Sequence, residues 1–397
     1  MSTNNENINK ETKNPNVPHL RFPEFFEEWK RVELKDVAEF QKSRIPADGL
    51  DASCYISTEN LIPNFGGIKE ASSIPTDGNV MAIKPNDILI SNIRPYLKKV
   101  WQSDRFGGCS ADVFVLRTTG CQGDFLYNII ASDKFINYVM SGVKGVKMPR
   151  GDKRQMEEFE FSIPTIEEQN RISRLLSLLD ERIATQNKII EDLKKLKSAI
   201  IEKHYCKVEK QIACVGDLGE PFSVGNLAKD DLTETGIPCV IYGELFTTYG
   251  ETISQIESHT YKTEGIILSK KGDLLFPSST TVDAMSLIAP SVINMDGVIL
   301  GGDMFGIHIS PNFNAQYLSY YFNHIAKRQL AKFAKGSTII HLHYADIEKA
   351  KLLLPSLEEQ NRMAKCLVTL DDKIKKERTF FDLLNSQKAY LLCHMFI

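Results

Sequence analysis

The chain lacks what would mark a membrane-spanning, secreted or metal-clustered protein. No stretch gives 18 uninterrupted apolar residues, so no spanning helix is expected. Residues 1–17 are polar, without the apolar core of a secretory leader, and read as a disordered tail. The eight cysteines are scattered with no Cys-x-x-Cys pair. That argues against a zinc cluster and a disulfide framework, and for a reduced, cytoplasmic setting. Charge of either sign is not in excess: 48 Lys+Arg against 51 Asp+Glu leave a net charge of -3, so any nucleic-acid binding must come from local patches. No Walker A loop is present. What is there is ordinary globular composition, 42% apolar and 25% charged over 397 residues, enough for two or three domains.

The informative feature is a duplication. Pro164-Thr165-Ile166-Glu167-Glu168-Gln169-Asn170-Arg171 returns 191 positions later as Pro355-Ser356-Leu357-Glu358-Glu359-Gln360-Asn361-Arg362. A period that long is no solenoid, whose units run to roughly 20 to 50 residues. Each copy opens a long helical pattern, and Thr165-x-x-Glu168 and Ser356-x-x-Glu359 match the capping box at a helix start. Behind the first, Ile172, Leu176, Leu179, Ile183, Ile190, Leu193 and Ile200 step by heptad spacing; behind the second, Met363, Leu367, Leu370, Ile374, Phe381, Leu384 and Leu391 repeat that seam. Even its polar breaks coincide, Gln186 with Glu377 and Lys197 with Lys388. Matched seams predict two helices of about 40 residues, roughly 60 Å each, packed on one another. The plainer alternative is two amphipathic helices each lying only on its own globule. Short connections make the helices antiparallel, and the expected shape is a rod with a globule at each end about an approximate two-fold axis.

The segments between the helices alternate short β-branched or aromatic runs with Gly, Pro, Asn and Asp, the pattern of α+β globules. Asn86-Asp87-Ile88-Leu89-Ile90 in the first is answered by Gly272-Asp273-Leu274-Leu275-Phe276 in the second, and a helix expected over 125–140 by one over 317–332. The expected division is a tail (1–17), a first head (18–162), a first helix (163–206), a second head (207–353) and a second helix (354–397). Two unlike heads on a fixed spacer suit a two-fold partner with unlike halves, and duplex DNA is such a partner.

Matched contact segments support that reading. In the first head Lys144, Lys147, Arg150, Lys153 and Arg154 cluster among Gly142, Gly145 and Gly151; in the second, Lys335, Ser337, Thr338, His341 and His343 follow around Gly336. Glycines let backbone approach phosphates, and Lys or Arg adds counterion-releasing contacts or reads guanine. A second pair of segments follows the repeated Asp-hydrophobic runs: Ser91 to Lys99, with Arg94, Lys98 and Lys99, and Pro277 to Thr281, with Ser278, Ser279 and Thr280. Taken singly, the basic clusters also read as solvated faces. His341 and His343 alternate as in a strand, which favours a structural role over metal binding.

On these residues the chain resembles the specificity subunit of type I restriction-modification systems. The carriers are the Leu20-Arg21-Phe22-Pro23-Glu24-Phe25 opening, the doubled Pro-x-x-Glu-Glu-Gln-Asn-Arg helix starts, the two Asp-hydrophobic strands with their loops, and Lys335-Gly336-Ser337-Thr338. The resemblance implies two α+β target-recognition domains joined by a pair of long antiparallel coiled-coil helices, a pseudo-two-fold repeat reading a bipartite DNA sequence. It further implies two modification subunits, which bind S-adenosylmethionine and methylate adenine, and two restriction subunits, which use ATP and Mg. No cofactor or metal is expected in this chain itself. Met148-Pro149-Arg150-Gly151-Asp152 departs from the Ser-Thr-hydrophobic pattern of the second head, and Arg150-Gly151-Asp152 is treated as coincidence. Asn92-Ile93-Arg94-Pro95-Tyr96 is not the Asn-Pro-Pro-Tyr sequence of amino-methyltransferases, so a self-sufficient methyltransferase is disfavoured. The competing reading is a two-headed protein-interaction scaffold.

Overall fold

The structure, a computed structural model, describes residues 16–143 and 148–397. Lys144 and Lys147 lie outside the described residues. Two compact units are present, one holding residues up to Gln186 together with Phe380–Ile397, the other Asn187–Thr379. The helix Ile166–Lys207 begins in the first unit and ends in the second, and Leu357–Met395 does the reverse.

In the first unit, Lys30–Glu33 pairs antiparallel with Glu160–Ile163, closing the head where its chain leaves for the long helix. Above this lie two four-stranded sheets. One runs in the order Ala38–Phe40, Val113–Thr118, Ile88–Ser91, Val100–Gln102; the other runs Arg44–Pro46, Asn79–Ile83, Gly107–Cys109, Tyr55–Ile56, with a parallel last pair. The second unit repeats the order. Gln211–Cys214 pairs with Lys351–Leu354, and two five-stranded sheets follow, the first centred on Met304–Ile309 and Asp273–Pro277.

The repeated aspartates are buried and structural. Asp87 takes a bidentate grip from Arg117 at 2.7 Å and accepts from the Lys84 amide at 2.8 Å. Asp273 accepts from the Lys270 amide at 2.7 Å and meets His308 at 2.6 Å. In each head the carboxylate ties the tight turn before its strand to the neighbouring strand. A buried charge needs such pairing.

The single helix expected over 125–140 is two helices, Gly123–Ile130 and Asp133–Ser141. Ser132 accepts from the Phe135 amide at 3.2 Å and donates to the Ile129 carbonyl at 2.6 Å, so it caps the second helix instead of continuing the first. The helix expected over 317–332 also breaks, into Ala315–His324, Lys327–Leu330 and a 3-10 turn at Ala331–Phe333. There the Ile325 and Ala326 amides converge on the Tyr321 carbonyl at 2.8 and 2.9 Å, which ends the ladder.

The repeated Glu-Gln pair at each long-helix start clamps helix to head. Gln169 donates to the Pro164 carbonyl and accepts from the Gln122 amide, both at 2.9 Å; Gln360 donates to the Pro355 carbonyl at 2.9 Å and accepts from the Asn314 amide at 3.0 Å. Gln122 and Asn314 are themselves the N-caps of the head helices. Both glutamines are buried, so Gln169→Ala or Gln360→Ala leaves a backbone amide and a carbonyl unpaired. A loss of about 1–3 kcal/mol each is expected from urea unfolding. A loss below about 0.5 kcal/mol would show that water replaces the clamp.

The capping boxes are half formed. Thr165 and Ser356 hydroxyls accept from the Glu168 and Glu359 amides, at 3.5 and 3.3 Å. The carboxylates do not complete the box: Glu168 is held by Arg21 through two 2.7 Å bonds, and Glu359 by His204 at 3.0 Å and Arg362. A cation outside the first turn outcompetes the cap amide for a carboxylate.

Within each unit the two helix segments run in opposite directions. In the first, Asp180 meets Lys388 at 2.6 Å, and Arg182 lies over the Phe380 ring. In the second, Lys197 meets Asp371 at 2.8 Å and His204 meets Glu359, so partner numbers fall as residue numbers rise. Ile172, Leu176 and Leu179 are buried in the first unit with Leu384, and Ile190, Met363, Leu367 and Ile374 in the second. Ile183 and Phe381, and in the second unit Leu193 and Leu370, are half-buried. Each head's core takes in both segments, Ile172 and Met395 with Phe125 and Trp29, Ile201 and Leu367 with Phe276 and Tyr320. The helices therefore pack on one another within each unit as well as on the head cores, and neither lies only on its own globule.

Candidate nucleic-acid interface

Segments far apart in the chain are brought together in each head. In the first, the loop after Ile88–Ser91 is stitched to residues 149–151: Arg94 donates its amide to the Pro149 carbonyl at 2.9 Å, Gly151 to Asn92 at 3.1 Å, and Ile93 bridges Arg150. In the second, Ser279–Thr280 pairs with Ile340–His341, and Leu342 donates its amide to the Ser278 carbonyl at 2.9 Å. The two families of contact segment thus form one surface per head.

A third element holds both joints. The Asn92 amide donates to the Asp112 carbonyl at 2.8 Å, and the Ser278 amide to the Asp303 carbonyl at 2.7 Å. Asp303 lies 191 positions after Asp112, the same offset as the helix starts. These aspartates were not among the expected site residues. The signal that would have found them, their offset, was in the sequence.

The first head presents its loop under strain. Asn64, Phe65, Arg94 and Lys98, four of the five non-glycine residues with positive φ among those described, meet at one turn. Asn64 donates its amide to Leu97 and Phe65 to Lys98, at 3.0 and 2.9 Å. Left-handed backbone costs a side-chain-bearing residue roughly 1–2 kcal/mol, and such outliers gather where function fixes them. Arg94 and Arg154 are exposed and have no ion-pair partner among the described residues. Arg150 pairs with Asp112 at 3.1 Å, both side chains exposed, and half-buried Lys98 pairs with exposed Asp133 at 2.7 Å, solvent-screened contacts of small worth. Lys99 donates to the Thr58 carbonyl, and burial, with Lys69 nearby, lowers its pKa.

Lys153 is engaged differently from its neighbour Arg154. Its ammonium lies 5.2 and 4.8 Å from the Phe40 and Phe114 ring centroids, and burial lowers its pKa, with Lys42 adding to the effect. It is engaged within the head.

In the second head a hairpin carries the exposed groups. Lys335 and His341 exchange both backbone bonds, at 2.9 and 2.7 Å, and Gly336 turns at φ 116°, where an added Cβ would lie 2.0 Å from the Ile339 carbonyl oxygen. Ser337 and Thr338 stand exposed at the tip, with Ile339 beside them. The His341 and His343 rings lie nearly parallel, 6.1 Å apart, and Lys335 pairs with Asp346. Among the described residues no group of three or more His, Cys, Asp or Glu side chains is placed to hold a metal ion. Ser278 and Ser279 are buried in the joint, whereas Thr280 is half-exposed.

The comparisons agree with this doubled arrangement. The model of the type I restriction modification DNA specificity domain matches residues 26–195 and again 207–379. The chain is 24% identical over 390 residues to the type I restriction enzyme MjaVIII specificity subunit of Methanocaldococcus jannaschii, covering 90% of this chain and 89% of that one. In fold it is similar to the crystal structure of a type I restriction-modification S subunit from M. genitalium, at TM-score 0.63 and 15% identity, over 96% of this chain and 99% of that one. A chain from a structure concerned with complex assembly and conformational transition of the type I system matches at TM-score 0.55 and 17% identity, over 92% and 96%. With its domain matched twice across most of its length, the chain belongs to the family of type I restriction-modification specificity subunits.

Proposed function

We propose that each head reads one half of a bipartite, asymmetric DNA sequence and that the long helices set the spacing and dock the other subunits. The observation that carries this reading is the shared joint: in both heads the same two segments are bonded together, with different exposed side chains beside the joint. Equal scaffolds with unlike surfaces suit unlike half-sites. The chain's role is recognition, and chemistry belongs to partners: two modification subunits with S-adenosylmethionine transfer a methyl group to adenine, and two restriction subunits use ATP and Mg. An adenine inside a duplex must leave the stack to be methylated, and that pocket is assigned to the modification subunit. Exposed apolar residues on the helices, Leu178, Leu383 and Tyr390 in the first unit and, separately, Ile189 and Leu196 in the second, are the side chains assigned to docking. No helix among the described residues is long and apolar enough to cross a membrane, in keeping with work on cytoplasmic DNA.

The deciding experiment exchanges residues 32–162 for the equivalent head of another such subunit and sequences the methylated genome. One half of the methylated target should change while the other half and the gap persist. Change in both halves, or in neither while methylation continues, would overturn the reading. The scaffold alternative predicts that the complex with modification subunits leaves a duplex unshifted in electrophoresis.

A further inference from the structure

We infer that Asp303 in the second head, and Asp112 at the same place in the first, read a base: each carboxylate accepts a hydrogen bond from an exocyclic amino group, cytosine N4 or adenine N6, in the major groove. This rests on the DNA-reading function proposed above. Both residues sit in the turn that leads into a central strand, Val113–Thr118 or Met304–Ile309, and both carbonyls hold the contact loop through its first amide. The side chains therefore leave the backbone at the joint between the two contact segments.

The surroundings of Asp303 are unlike those of a structural aspartate. It lines a depression with Lys335, Gly336, His341, His343 and Asp346. Asp346 is taken by Lys335 and by the His343 amide, at 3.0 Å for the latter. The Asp303 carboxylate has no hydrogen bond or ion pair among the described residues. Compare Asp87 and Asp273, the other repeated pair, which are buried and fully engaged. In the first head Asp112 pairs with Arg150, but their side chains are 39% and 51% exposed, so the pair can open toward a base pair.

Chemistry narrows the ligand. A carboxylate facing a duplex is repelled by phosphates, and deoxyribose offers it no donor. Only base edges supply N–H groups. In the major groove these are cytosine N4 and adenine N6, and that groove is wide enough for a two-stranded ribbon such as the hairpin Lys335 to His341. Lys335 at the rim, exposed although paired with Asp346, offsets part of the repulsion of bringing a carboxylate there.

The test uses the complete chain with its modification subunits and compares the unaltered protein with Asp303→Ala and, separately, Asp112→Ala. Methylome sequencing and competition against a panel of single base-pair variants of the target provide the readout. Asp303→Ala, which removes the acceptor, should reduce a discrimination on the order of 10- to 100-fold at one base pair of one half-site to a few-fold or less, leaving the other half-site unchanged. Asp112→Ala should do the same in the opposite half-site, which keeps the inference testable if one variant misfolds. If affinity instead rises equally on every duplex and all base preferences persist, the carboxylates are only repulsive walls and the inference falls alone. If the unaltered complex has no base preference, the parent reading falls with it.

Discussion

Raising salt from 50 to 200 mM should weaken DNA binding by the assembled complex about a thousandfold if some six phosphates are neutralised, since each contact adds close to 0.9 to the logarithmic slope. Partner subunits contribute contacts of their own, so the sharper measurement is a difference between variants. Arg94→Ala with Arg154→Ala removes two exposed guanidiniums without ion-pair partners among the described residues and should flatten the slope by nearly 2. Lys153→Ala should scarcely change it, because that ammonium already faces the Phe40 and Phe114 rings. All three residues lie in or beside the same joint. A general loss of positive charge would flatten the slope with every one of them, so equal effects from Lys153 and Arg154 would refute the assignment of contact residues.

How much of this was legible in the sequence depended on what repetition exposes. The helix starts were readable because the Pro-to-Arg motif is nearly identical in its two copies. The purpose of its glutamine was not, since Gln169 and Gln360 act on the backbone of Gln122 and Asn314, whose proximity only the folded head creates. The same limit applies to the second half of each capping box. Thr165 and Ser356 behave as local spacing dictates, but Arg21 and His204, remote in sequence, take the glutamates. The break after Tyr321 was hidden for a different reason: positions 325 and 326 hold neither glycine nor proline, and only the bonding at Tyr321 ends the run.

At the candidate interface, residue type was readable and engagement was not. Lys153 and Arg154 are neighbours in one basic run, yet one is held over aromatic rings and the other stands exposed. Composition points to cations when DNA is the partner, so two aspartates at a repeated position stand out only by their offset. Their offset equals that of the helix starts, and of the residues around them Phe114 and Phe305 also match while the adjacent positions differ. A position held in register while the surface around it changes belongs to the mechanics of the joint, and a carboxylate there is also placed to accept from what the joint binds.

The repeat also sets up a comparison in stability, between Lys197→Met and Lys388→Met, equivalent positions in the two helices. Lys197 has a side chain only 9% exposed, bonded to Glu251 at 2.9 Å and Asp371 at 2.8 Å, with the Tyr320 ring beneath it. Tyr320 donates to Asp371 and His324 meets Glu251, so one lysine anchors a buried network. Removing it leaves carboxylates with too few partners and should cost about 3–5 kcal/mol. Lys388 and Asp180 are 26% and 43% exposed, and Lys388→Met should cost about 1 kcal/mol or less. Both tryptophans, Trp29 and Trp101, lie in the first unit, so fluorescence follows that unit and hydrogen exchange over 187–379 follows the second. Acid separates the two variants further. Burial alone would raise the Glu251 pKa, but the His324 bond and Lys197 outweigh it and hold it at about 2 against an ordinary 4.5. A depressed carboxylate contributes fully above its unfolded value, here roughly 3 kcal/mol, and loses that contribution as pH falls from about 4.5 through 2. In Lys197→Met the carboxylate binds a proton more readily, so the deficit should be largest at neutral pH and narrow below about pH 4. Equal deficits at pH 7 and pH 3 would mean that lost packing of the lysine stem, not lost charge pairing, explains the effect.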